Sequence, residues 1–107
     1  MTQPIYLDHN ATTPVDPQVL DAMLPYLQGQ FGNPSSAHSY GRIAAQAVAT
    51  SRDEVAALLG ANAGEIVFTG CATEANNLAL FGVARVLRDT KRHLVVSAVE
   101  HLSLIHI

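Results

Sequence analysis

Apolar positions along this chain change their spacing several times, and each change marks a structural element. Ile5-Tyr6-Leu7 is a short apolar run stopped by the polar cluster Asp8-His9-Asn10, which suits an edge strand or an extended arm. Asp16-Pro17 is a helix start, an N-cap acceptor followed by a residue whose missing N–H costs nothing in the first turn. Val19, Leu20, Met23, Leu24 and Leu27 then recur at helical spacing, and Gly29 closes the segment. From Gly29 to Gly41 the chain is rich in Gly, Pro and Ser and has no period, so a loop is expected. Loops of that length in a compact domain are often functional, or ordered by something else. A long helix is predicted from Arg42, with Ile43, Ala47, Val48, Val55, Leu58 and Leu59 on one face. Arg52, Asp53 and Glu54 lie off that face, and Gly60 is the C-cap.

The period then shortens. Glu65-Ile66-Val67-Phe68-Thr69 is β-branched and aromatic, as a buried strand requires. Gly70-Cys71-Ala72-Thr73-Glu74 interrupts it and opens a helix carrying Leu80, Val83, Ala84 and Leu87 on one side. After Asp89 to Arg92, the run His93-Leu94-Val95-Val96-Ser97-Ala98-Val99 reads as a second continuous apolar strand. Strand, helix and strand with short joins predict a parallel βαβ unit with a right-handed crossover, and so an α/β fold.

Composition narrows the class. A chain of 107 residues is the size of one small domain, and 49% apolar against 14% charged residues excludes a disordered one. The net charge of -3 is mild. Arg85, Arg88, Lys91 and Arg92 gather at a helix end, where a solvated last turn accounts for them better than a nucleic-acid patch. The opening Met1-Thr2-Gln3-Pro4 lacks the basic start of a signal peptide. No run approaches the roughly 20 apolar residues that cross a bilayer. Neither nucleic acid nor membrane is therefore expected as a partner. Cys71 is the sole cysteine, which excludes an intrachain disulfide and fits a reducing, cytoplasmic setting. His9, His38, His93 and His106 have no metal-ligand spacing, so no metal is expected.

Candidate chemistry concentrates between Thr69 and Asn77. Small residues there let backbone amides approach a ligand, and the helix start offers unpaired N–H groups with a positive dipole end. Thr73 adds a hydroxyl suited to a phosphate oxygen, although the pattern is neither a Walker loop nor the dinucleotide fingerprint. By themselves these residues favour a plainer account, in which Thr73 caps the helix and Gly70 eases a turn. Cys71 likewise reads as a small buried apolar residue, rather than a thiolate activated by the helix end. His101 follows the second predicted strand. In open parallel sheets the ligand crevice lies beyond the carboxyl ends of the strands, so His101 should meet the loop after Thr69 on one edge. A plain surface histidine is still the commoner occupant of such a position.

Four segments in order resemble the class V aminotransferase-like family, and within it the cysteine desulfurases. They are Tyr6-Leu7-Asp8 through Ala11-Thr12-Thr13-Pro14, Gly32-Asn33-Pro34-Ser35-Ser36-Ala37-His38 with Gly41, Phe68-Thr69 through Asn77, and Val99-Glu100-His101. The resemblance implies a partial type I pyridoxal-phosphate transferase fold of the aspartate aminotransferase kind. It implies that residues 1–38 form an arm, helix and loop of the small-domain region and that 39–101 begin the large cofactor-binding domain. It assigns Ala72 and Thr73 to the phosphate of pyridoxal 5'-phosphate and stacks His101 on its ring. It sets Asn10, Ala11 and Thr12 near the entrance of the site, which Asn33 to His38 help to shape. The implied reaction takes sulfur from L-cysteine, giving L-alanine and an enzyme persulfide that supplies a sulfur-acceptor protein, in a homodimer. Selenocysteine lyase, another class V enzyme and a non-catalytic phosphate-binding module are the alternatives.

Departures from the family pattern are equally specific. Lys91 is the sole lysine and lies in a turn beside Arg92, so it is not expected to hold the cofactor. Cys71 lies within the phosphate loop and is not expected to form the persulfide. The lysine, the acidic partner of the pyridine nitrogen and the persulfide cysteine are expected further along a longer chain, so these residues alone should be inactive. Leu102 to Ile107 depart from the pattern, with no helix cap beyond Ser103, and read as a truncated or mis-assembled frame. Two parallel strands without neighbours would expose sheet edges and an apolar face, which predicts poor solubility.

Overall fold

The structure, a computed structural model, describes residues 4–105. It divides into two units, Met1–Ile66 and Val67–Ile107.

In the first unit the arm has no regular secondary structure and ends in a turn over Asp8 to Ala11. The Tyr6 hydroxyl lies 2.9 Å from the Asp8 carbonyl oxygen and 3.1 Å from that of Thr12, which folds the ring over the turn. Helix α1 spans Pro17–Gln28, and Asp16 caps it as the sequence predicts, accepting the Gln18 N–H at 2.8 Å.

The glycine-rich stretch that follows is ordered by its own hydrogen bonds. Asn33 accepts the Ser35 N–H at its side-chain oxygen and the Ser36 N–H at its carbonyl, both at 2.9 Å. Helix α2 spans Ser39–Leu59 and so begins before Arg42, because His38 caps it by accepting the Gly41 N–H at Nδ1 (3.3 Å). Gly41 is buried where loop and helix backbones meet: a Cβ there would stand 2.1 Å from the Ser36 carbonyl oxygen and 2.7 Å from that of Asn33. Gly32 makes the reciprocal approach, its would-be Cβ 2.2 Å from the Tyr40 carbonyl oxygen.

The buried line of α2 is Gly41, Ala44 and Ala56, not the predicted stripe of large residues. Ile43, Val48, Leu58 and Leu59 remain exposed, since small residues are what close backbone approach selects. Gly60 closes α2 in the left-handed conformation, φ 65°, and Ala61 N–H returns to the Ala56 carbonyl at 2.9 Å. A 3-10 turn over Ala63–Glu65 follows, in which the Glu65 carboxylate accepts the Asn62 backbone N–H at 2.7 Å and its side-chain N–H at 3.0 Å. Arg52 of α2 reaches the Ile66 carbonyl at 2.5 Å and clasps this segment to the helix.

The second unit contains helix α3, Ala72–Leu87, and a single-turn helix α4, Leu102–Ile105, packed beside it. The predicted strands do not form among the described residues. Glu65 belongs to the 3-10 turn, residues 67–69 and 93–97 have no regular secondary structure, and Ala98-Val99 lie in a turn. A parallel strand needs neighbours on its edges and cover on both faces. Here Val67 is 64% exposed and Val95 88%, so neither condition is met and no βαβ ladder is present. The tail also differs from expectation, since residues 102–105 complete a helical turn.

Three outcomes follow. In the full-length protein, Gly41→Ala destabilises by about 1–3 kcal/mol in chemical denaturation, the usual cost of overpacking. Gly29→Ala, with nothing within 4 Å of its would-be Cβ, does not. The Asn62 backbone hydrogen bond, with a smaller part from its side chain, holds the Glu65 carboxyl below its ordinary range. A depressed carboxyl stabilises above its unfolded pKa and loses that contribution as pH falls through the folded one. Acid titration followed at the Asn62 amide therefore shows the turn loosening below the ordinary carboxylate range, and Glu65→Gln abolishes that pH dependence. With Ala44 and Ala56 the buried hydrophobic residues among those described, the 107-residue chain alone binds an apolar dye and self-associates; a soluble monomer unfolding cooperatively contradicts this.

Candidate cofactor-phosphate site

The loop into α3 is held from both ends. Thr69 donates its hydroxyl to the Cys71 carbonyl at 3.1 Å, and the Glu74 carboxylate accepts the Gly70 N–H at 2.6 Å. Cys71 is the N-cap, extended at φ -165° and ψ 168°, and its side chain makes no cap hydrogen bond. Thr73 is therefore not the cap. It is the second helical residue, and its carbonyl accepts the Asn77 side-chain N–H at 2.8 Å. The amides of Ala72, Thr73 and Glu74 have no acceptor among the described residues, as the first turn of a helix dictates. Gly70 through Thr73 are exposed, so small side chains leave those donors approachable.

Cys71 is exposed, not buried as the sequence suggested, because the loop stands at the surface end of α3 with nothing folded over it. Its thiol accordingly reacts with a small alkylating reagent without denaturant, in a mass-spectrometric assay; protection until unfolding contradicts the assignment.

His101 caps α4. Its Nδ1 accepts the Ser103 N–H at 3.1 Å and lies 3.0 Å from the Ser103 hydroxyl, which itself accepts the Asn76 side-chain N–H at 2.9 Å. A backbone N–H can only donate, so Nδ1 presents its lone pair and the ring hydrogen of the neutral form resides on Nε2. This relay ties His101 to the second turn of α3, the helix whose start bears Ala72 and Thr73. Sequence reasoning brought His101 to this helix through a sheet edge; the structure brings it there through Ser103.

It missed Glu74 and Asn76. Glu74 had a signal, a Glu three residues after the N-cap as in a capping box, although it reaches Gly70 rather than the N-cap amide. Asn76 had none, because its partner lies 27 residues away. Asn10 to Thr12 and Asn33 to His38 belong to the first unit. Among the described residues no group of three or more His, Cys, Asp or Glu side chains is placed to hold a metal, and no helix is long and apolar enough to cross a membrane.

The loop and helix start bear the residues that the sequence resemblance singled out, and the comparisons show the family. The chain belongs to the aminotransferase class-V family, which matches residues 5–107. It is 53% identical over 100 residues to a cysteine desulfurase of Rattus norvegicus, covering 92% of this chain and 22% of that protein. It is 50% identical over 103 residues to a cysteine desulfurase of Trichormus azollae, covering 96% and 26%. A solved structure of a NifS-like protein superposes with a TM-score of 0.80 at 39% identity, over 91% of this chain and 27% of that one. The chain thus spans about a quarter of the length of the relatives it matches.

Proposed function

We propose that this chain is part of a longer pyridoxal 5'-phosphate-dependent cysteine desulfurase, in which the start of α3 grips the cofactor's phosphate. One observation carries the reading: an uncapped helix start of small, exposed residues, in a chain half identical to proteins named cysteine desulfurase. The donors fit a phosphate ester. They are neutral amides and one hydroxyl at the positive end of a 16-residue helix.

Ala72 donates its backbone N–H and Thr73 its N–H and hydroxyl to phosphate oxygens. His101, its Nδ1 occupied by the Ser103 N–H, would face the cofactor ring and hold a proton at Nε2. When bound, pyridoxal phosphate withdraws electrons from the α-carbon of the substrate. The substrate is L-cysteine, and the products are L-alanine and a persulfide on an enzyme thiol that is not Cys71. The lysine that carries the cofactor is likewise not Lys91, which follows the end of α3. The sulfur goes to an acceptor protein for iron–sulfur cluster or thio-cofactor synthesis.

In the whole enzyme, a cytoplasmic homodimer, the apolar runs around Val67 and Val95 become the parallel strands of a βαβ core. Their ladder partners come from outside this chain. Residues 1–38 belong to the small-domain region and 39–101 begin the cofactor-binding domain, with Asn10 to Thr12 and Asn33 to His38 near the site entrance.

The test uses the full-length protein. Thr73→Ala weakens pyridoxal phosphate binding by about 1.5–3 kcal/mol, the worth of one hydrogen bond to a charged group. His101→Ala lowers alanine release from cysteine while phosphate affinity holds. A wild-type protein that retains no pyridoxal phosphate, or that releases alanine from selenocysteine but not from cysteine, overturns the assignment.

A further inference from the structure

The Glu74 carboxylate should be an obstacle. It lies in the first turn of α3, where an anion is stabilised by the helix dipole, and would compete there with any incoming phosphate. In the structure it does not cap its own helix. Oε2 reaches back to the Gly70 N–H at 2.6 Å, a charge-assisted bond to a donor outside the helix. Two things follow from that direction. The negative charge is anchored on the loop, leaving the Ala72 and Thr73 amides with no acceptor among the described residues. The turn at Gly70 is also fixed, because a Cβ there would stand 3.3 Å from the same Oε2, so the carboxylate packs directly against the glycine.

Cys71 cannot do this work. Its side chain forms no cap hydrogen bond, so the loop is closed by the Thr69 hydroxyl on one side and Glu74 on the other. Thr69 grips the Cys71 carbonyl and Glu74 grips the Gly70 amide, which together set the peptides that lead into the first turn.

We propose that Glu74 is a positioning residue for the phosphate cradle: by holding the Gly70 amide it sets the turn that presents the Ala72 and Thr73 amides to an anion. This rests on the cofactor reading above, and it assigns to Glu74 no contact with the cofactor itself.

The experiment compares wild type, Glu74→Ala and Glu74→Gln in the full-length protein. Hydrogen–deuterium exchange of the segment 68–75 is measured without ligand, and binding of pyridoxal phosphate and of phosphate-free pyridoxal by titration. Glu74→Ala speeds exchange of the segment and weakens pyridoxal phosphate binding about tenfold, the worth of one ordinary hydrogen bond, while pyridoxal binding is unchanged. Glu74→Gln, which keeps an acceptor oxygen, retains slow exchange and binds pyridoxal phosphate within about twofold of wild type. Circular dichroism confirms that both variants are folded; if Glu74→Ala is not, the Glu74→Gln comparison decides, and a tenfold loss there overturns the proposal. A wild type that binds while Glu74→Ala binds and exchanges equally overturns this proposal alone. A wild type that binds no pyridoxal phosphate overturns the cofactor reading and this proposal with it.

Discussion

Every helix begins with backbone donors that its own hydrogen bonds cannot reach, and how those donors are met organises this chain. Among the described residues the buried hydrophobic ones are Ala44 and Ala56, little core to hold elements in place. Order comes from side chains acting at helix ends instead. Asp16 does so for α1, His38 for α2, Glu65 for the 3-10 turn and His101 for α4. Helix α3 is the exception. Its N-cap is a cysteine without a cap hydrogen bond, and its first-turn glutamate reaches back to Gly70, so its first donors have no acceptor among the described residues.

The two histidine caps share a consequence. His38 and His101 each accept a backbone N–H at Nδ1, which fixes ring orientation and leaves Nε2 as the outward atom. A histidine used this way is part of the backbone's hydrogen bonding and also a presented side chain. Glycine complements this role where two backbones meet. At Gly41 and Gly32 the neighbouring carbonyl oxygens stand where a Cβ would be, so no other residue lets the loop lie on the start of α2.

Local features were legible in the sequence, and distant ones were not. Asp16-Pro17, Gly60 and the opening of α3 after the Thr69-Gly70 turn all appear where residue type and spacing indicate, because each depends on neighbours within a turn. The start of α2 was missed, since a histidine cap has no strong residue-type signal. The βαβ ladder failed for a different reason. Apolar runs such as Val95-Val96 encode a preference for a strand, but a strand also needs partners to accept its hydrogen bonds, and Val95 is 88% exposed. At the candidate site, the family's motif order is what singled out Ala72, Thr73 and His101. The link from His101 through Ser103 to Asn76 was not, because it joins residues far apart in sequence. Cys71 was misjudged for the same reason, as burial is set by what folds over a residue and not by its type.

The meeting of the Ser36 and Asn33 carbonyls with Gly41 has a mechanical side. A loop pressed backbone to backbone onto a helix cannot sway independently of it, so residues 33–38 and the first turn of α2 behave as one rigid lever. Ser35 stands exposed at the tip of that lever, which makes it a natural attachment point for a spectroscopic label. A label there would report the tumbling of a 21-residue helix rather than the idle motion of a surface loop.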